Sequence, residues 1–208
     1  TKMSFAKNAS LAFVDTTDAQ DRLALVIFSH YSNITQSLTF DKTAVKNAIN
    51  AIIVSGGTYI GYAIGNATFE LINHSRVVKK VEVLLTDGLD NPHATSDPIV
   101  EAGKAAANGI TIYTIGFGNG TQINETMLRQ IANITGGIYY STTIGSELRS
   151  IFIEIGRQLG LNWIETGNTT IGTFGPACSS SGVCARFSGN ISGSALYQNV
   201  KIVFHGKR

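Results

Sequence analysis

Residues 23–28 (Leu23-Ala24-Leu25-Val26-Ile27-Phe28) hold no polar side chain at either odd or even positions, and the strands predicted over 79–86 and 110–117 are largely apolar over 81–85 and 112–117. In a strand, successive side chains face opposite ways, so a run that is apolar on both sets of positions has to be covered on both faces. Between these runs lie segments of helical period. Residues 42–54 place Val45, Ile49, Ile52 and Ile53 at i, i+4, i+7 and i+8, and residues 146–159 place Leu148, Ile151, Phe152, Ile155 and Leu159 on one stripe. Further helices are predicted over 2–14, 59–73, 96–108 and 125–135, the last two closed by Gly109 and Gly136-Gly137. A more polar, alternating strand is predicted over 33–40 and a short one over 138–141. Strands alternating with helices give an α/β class: a three-layer, doubly wound, Rossmann-like arrangement around a mainly parallel sheet.

The character of the chain changes after Leu161. Residues 169–174, 185–188 and 199–204 read as short strands between Gly and Ser turns with no helical period. The expected division is therefore a domain over 1–160 and a small β-rich C-terminal appendage over 161–208. Its 208 residues suffice for one such core without a metal or a disulfide framework. Charged residues are only 14% of the chain and the net charge is +2, with Lys and Arg scattered. That excludes an acidic solvating chain and offers no basic footprint for nucleic acid. No apolar run approaches the roughly 20 residues of a membrane-spanning helix.

The compartment is legible in asparagine. Asn-x-Ser/Thr acceptors occur at Asn8, Asn33, Asn66, Asn73, Asn119, Asn124, Asn133, Asn168 and Asn190, against roughly three expected by chance for this composition. Asn33, Asn119, Asn124, Asn168 and Asn190 are the sites placed in loops or exposed turns, and a glycosylated protein, extracellular or at the cell surface, is expected. Cys178 and Cys184 enclose a short flexible loop and reach disulfide geometry easily in an oxidising compartment. The His residues show no ligand spacing to one another or to the Cys pair, so a zinc site is not expected.

In doubly wound sheets ligands bind at the carboxyl ends of the strands. There Gly56-Gly57-Thr58 brings a hydroxyl to the start of a helix, and Thr86-Asp87-Gly88 puts a carboxylate just past a strand. Oxygen donors of this kind suit a hard cation such as Mg²⁺. Each also has an ordinary reading, Thr58 as a helix cap and Asp87 as a turn residue. In their order along the chain these segments, with residues 21–29, 112–118 and 131–140, resemble the von Willebrand factor type A domain over about residues 1–161. The resemblance implies a metal-ion-dependent adhesion site. Mg²⁺, or Ca²⁺ or Mn²⁺ in its place, is held there by a D-x-S-x-S loop, a Thr and an Asp, and a carboxylate from a protein ligand completes the shell. Thr58 and Asp87 match the Thr and the Asp.

The D-x-S-x-S loop and the strand before it would precede Lys2, so the remaining ligands are expected from residues outside these 208 or from another chain. The missing strand is central in the family. A sheet without it would carry unpaired backbone groups in its middle, and the slot is therefore expected to be filled.

No catalytic constellation competes. Gly116-Phe117-Gly118-Asn119-Gly120 lacks both the dinucleotide-binding spacing and a phosphate-binding Lys, and Ser29-His30 has no nucleophile elbow around it. The expectation is a non-enzymatic interaction module for adhesion or protein–protein binding. The alternative is a structural subunit of a surface layer or filament, its metal site unused, with neighbouring subunits exchanging strands.

Overall fold

The computed structural model describes residues 1–53, 56–75, 79–91, 95–166 and 198–205. In chain order its elements are α1 (Lys2–Thr16), β1 (Arg22–Phe28), β2 (Ser32–Thr39), α2 (Lys42–Asn50), α3 (Ile60–His74), β3 (Lys79–Thr86), α4 (Pro98–Ala107), β4 (Ile110–Phe117), α5 (Glu125–Thr135), β5 (Tyr139–Thr142), α6 (Gly145–Thr166) and β6 (Gln198–His205). One sheet runs in the order β2-β1-β6-β3-β4-β5. Among the described strands only the edge pair β1–β2 is antiparallel; the other pairings are parallel, as the alternation of strands and helices requires.

The apolar runs are divided between two cores. Leu23, Leu25, Val81, Val83, Leu85, Tyr113 and Ile115 pack with residues of α1, α2 and α6, where Phe13 and Phe152 meet edge to face at 5.9 Å. Ala24, Val26, Phe28, Leu84, Ile110 and Ile112 pack with α3, α4 and α5 on the opposite face. A central strand that feeds both cores cannot spare either set of positions, which is why the alternation of polar and apolar residues disappears from these runs. Edge strand β2, by contrast, alternates between exposed and half-buried residues along most of its length.

Capping fixes the helix starts. The Asp41 carboxylate accepts from the backbone N–H of Thr43 and Ala44, and the Asp97 carboxylate from Ile99 and Val100, with Pro98 in the first turn of α4. Helix α2 is shorter than its apolar stripe. It ends at Asn50, whose carbonyl accepts from the Lys7 ammonium at 2.7 Å, so the last-turn acceptor is satisfied and the chain turns away. Val45 and Ile49 are buried, but Ile53, counted into the stripe, is 84% exposed. Helix α6 conversely runs past residue 160 to Thr166.

The largest departure concerns the C-terminal segment. The strand expected at 199–204 exists, but it is not part of an appendage: β6 fills the slot between β1 and β3. It is parallel to both, with Leu25 and Val83 each opposite Ile202. The cause is the one that makes the slot costly to leave open, since β1 and β3 each present a row of backbone donors and acceptors that only a strand can satisfy. The register also places Lys201 beside Glu82, a fully buried carboxylate that accepts from the Thr68 hydroxyl at 3.0 Å. The other strands predicted after residue 161 lie outside the described residues.

Candidate functional site

The parallel strands deliver their following loops to one end of the sheet, together with the segment that leads into α3 and the first residue of α1. The loop after β1 carries Ser29, His30 and Tyr31, and the carbonyl of Ser29 accepts from the backbone N–H of Tyr59 at 3.0 Å. Gly57 has φ +91°, and a Cβ there would lie 2.5 Å from His30 Nδ1, so a glycine is needed both for the backbone angle and for the imidazole packed on it. The imidazole lies edge-on to the Tyr59 ring at 6.0 Å, and Tyr59 in turn packs on Tyr62.

Thr58 and Asp87 are both buried at this end. Their loops are sutured by Asn91. The Asn91 side-chain oxygen accepts from the Thr58 N–H at 2.7 Å, and the Asn91 N–H donates to the Thr58 carbonyl at 2.7 Å. One residue earlier, the Asp90 carboxylate accepts from the Ile60 N–H at 2.9 Å in the first turn of α3. Burial pushes the Asp90 carboxyl above the usual carboxylate range; the bond from Ile60 opposes that shift and the charge of Asp97 adds to it. Asp90 and Asn91, which follow the Thr86-Asp87-Gly88 turn and could by their place rim a metal site, are thus the clasp between the two predicted ligand loops.

Sequence reasoning misses Lys2 and Gln122. The Lys2 ammonium lies 3.9 Å from Asp87 Oδ2, donates to Gln122 Oε1 at 3.3 Å, and sits 5.8 Å from the centroid of the Phe117 ring. Nothing local in the sequence ties Lys2 to residues so far along the chain; only the fold brings α1 to the ends of β3 and β4.

The described residues do not by themselves compose a divalent-metal shell. Among the described residues there is no group of three or more His, Cys, Asp or Glu side chains placed to hold a metal ion. Thr58 and Asp87 supply two of the oxygen donors that Mg²⁺ needs, and the carboxylate of Asp87 already faces an ammonium. Of the expected acceptor asparagines, Asn33 is exposed on β2, Asn119 is exposed after β4, and Asn124 is exposed while its side-chain oxygen caps α5 by accepting from the Met127 N–H at 3.0 Å. Asn168, Asn190, Cys178 and Cys184 lie outside the described residues. No helix among the described residues is long and apolar enough to cross a membrane.

Comparison with known proteins places this geometry in context. The sequence profile of the von Willebrand factor type A domain matches residues 2–153. A UPF0353 protein of Mycobacterium tuberculosis is 23% identical over 194 residues, covering 82% of this chain and 58% of its own length, so the chain spans little more than half of that relative. Proximal thread matrix protein 1 of the mussel byssus, in a structure described as having a zinc-occupied metal-ion-dependent adhesion motif, superposes with a TM-score of 0.63 at 26% identity, over 75% of this chain and 40% of the other. The von Willebrand factor domain of the type V pili tip protein Mfa5 from Porphyromonas gingivalis superposes with a TM-score of 0.66 at 16% identity, over 81% and 91% of the two chains, a likeness of fold.

Proposed function

The chain belongs to the von Willebrand factor type A domain family, whose members generally bind proteins and can hold a metal at the site described above, and from that premise we propose that it is a non-enzymatic, extracellular or cell-surface binding module. Its contact face is the carboxyl end of the sheet. The observation that carries this reading is the suturing of the loops there. Ser29–Tyr59, Thr58–Asn91 and Ile60–Asp90 hydrogen bonds hold the segments after β1 and β3 against the start of α3, so the face is organised before a partner arrives. Around the buried Thr58 and Asp87 stand exposed apolar groups, Tyr31 at 79% and Leu89 at 52%, beside the exposed His30. Aromatic and aliphatic anchors around a buried polar centre suit a protein partner that presents an acidic residue. Any Mg²⁺ taking part would draw its further ligands from outside the described residues.

The extracellular assignment is supported by the acceptor asparagines, since Asn8, Asn33, Asn73, Asn119, Asn124 and Asn133 are all exposed. The test is retention of the fluorescently labelled protein on cells of its source. Substituting Tyr31→Ser together with Leu89→Ser should remove retention and leave the circular dichroism spectrum unchanged; retention equal to that of the unsubstituted protein overturns the assignment of this face.

A second reading, a structural subunit that exchanges strands with neighbouring subunits, is favoured by one feature. The central slot is filled by β6, which is joined to α6 only through residues 167–197, so the same pairing is open to a strand from a neighbouring copy. The byssal thread matrix protein among its structural likenesses suits an assembly role. Concentration-dependent oligomers in a sizing experiment, lost when residues 198–208 are deleted, distinguish it from the first reading.

A further inference from the structure

We propose that Asn73 carries an N-linked glycan whose first sugar residue lies over Phe69 and Ile72, so that an apolar patch on the outer face of α3 is covered by the protein's own saccharide. The inference rests on the extracellular reading above, since the modification belongs to that route. Its first support is a pair of side chains that the core does not explain. Ile60, Ala63, Ile64, Ala67 and Leu71 form the inward stripe of α3 and are buried. Phe69 and Ile72 lie off that stripe, 56% and 41% exposed. Residues three and four apart are neighbours on a helix surface, so Phe69, Ile72 and Asn73 share one patch, with Asn73 one turn beyond Phe69.

The second support is the acceptor itself. Asn73-His74-Ser75 has the Asn-x-Ser pattern and Asn73 is exposed. The helix ends inside the pattern, for Ser75, its C-terminal cap, is already extended. The third support is orientation. The Asn73 side-chain amide donates to the Phe69 carbonyl at 2.8 Å, which holds its nitrogen back over the turn that Phe69 occupies. That turn is fixed in place: the His74 carbonyl accepts from the Arg22 guanidinium at 2.7 Å, and the His74 imidazole lies 3.0 Å from the buried Glu70 carboxylate. In the transfer, Asn73 Nδ2 forms a bond to the anomeric carbon of a saccharide activated as a lipid phosphate ester. The bond from that carbon to the phosphate oxygen breaks, the lipid phosphate leaves, and Nδ2 gives up one of its two protons. The other remains to donate to the Phe69 carbonyl. The C–H face of a pyranose ring is apolar and slightly positive whereas the face of a phenyl ring is negative, so the sugar and Phe69 are complementary.

The experiment takes the protein expressed in cells of its source, unsubstituted and as Phe69→Ser, Phe69→Tyr, Asn73→Gln and the doubly substituted Asn73→Gln/Phe69→Ser. Mass spectrometry of the peptide spanning residues 69–75 should find glycan on Asn73 wherever that asparagine is kept. Ser and Phe differ little in helix propensity, so Phe69→Ser reports the contact with the sugar. It should lower the thermal midpoint of the glycosylated protein by about 2–4 °C. Phe69→Tyr, which keeps the ring face, should leave the midpoint unchanged, and in the Asn73→Gln background Phe69→Ser should cost nothing further. A bare Asn73 beside glycan at Asn33, Asn119 or Asn124 overturns the proposal and leaves the extracellular reading standing, whereas a protein with no glycan at any acceptor overturns both. An equal cost of Phe69→Ser with and without the acceptor, or no cost in the glycosylated protein, also overturns the proposal.

Discussion

At Gly57 two separate physical constraints meet in one residue, the left-handed backbone and the imidazole of His30 that occupies the place of a Cβ. Gly57→Ala should therefore destabilise the protein by about 1–3 kcal/mol, measured as a lowered urea midpoint. Adding His30→Ala should return the part due to crowding and leave the part due to backbone strain; full recovery would show that the positive φ costs nothing. Asp90 makes a different kind of prediction. Its carboxyl, with an ordinary value of 3.8, is raised in the folded protein by burial, so the folded state holds the proton more tightly than the unfolded chain does. Stability from this group is highest below the ordinary value, falls as pH rises through the raised one, and stays at its lowered level above. Asp90→Asn keeps an acceptor for the Ile60 N–H and removes the charge. Its unfolding free energy should therefore change less between about pH 3.5 and 7 than the parent's, and an unaltered pH dependence would assign the slope to other carboxyls.

Among the elements, β3, β4 and α5 fall on the residues that the sequence pattern marks, because each is bounded by a local signal: Thr86-Asp87-Gly88, Gly109, and Asn124 with Gly136. The end of α2 is not legible, since the carbonyl of Asn50 is satisfied by Lys7 from another helix and a stripe in sequence carries no record of that. The same limit governs the site. Gly57, Thr58 and Asp87 are recognisable by type and order, whereas the bonds through Asn91 and the approach of Lys2 depend on chain crossings that no local pattern encodes. The position of β6 is the extreme case: residues 199–204 are readable as a strand, but their partners β1 and β3 lie more than a hundred residues earlier. Its placement predicts that Ile202→Pro, which removes a ladder N–H from a strand paired on both sides, costs about 3 kcal/mol or more in urea unfolding. An unchanged midpoint would mean that β6 does not hold the sheet. Phe152→Ala, by contrast, strips the edge contact with Phe13 at a site with no solvent exposure and should cost about 3–5 kcal/mol, read from the same transition.

On the scale of the molecule, a chain that is only 14% charged and carries nine acceptor asparagines relies on neutral polar surface, and attached sugars would supply the hydration that charge does not. Mass spectrometry of the native protein should find glycan on Asn33, Asn119 and Asn124, whose exposure leaves room for it, and at Asn124 attachment through the amide nitrogen leaves the oxygen to cap α5. Unmodified peptides at all three would end the extracellular assignment. The sheet has a consequence of another kind, one of time. Because β1 and β3 meet only through β6, the strands that precede it make two leaves with no seam between them until β6 arrives. During synthesis the seam cannot close until residues 198–205 have followed β3 out, and such long-range closure is slow. The nascent protein therefore spends its most aggregation-prone interval with an open strand edge at its centre, and chaperone binding should be concentrated there and cease once residues 198–205 have emerged.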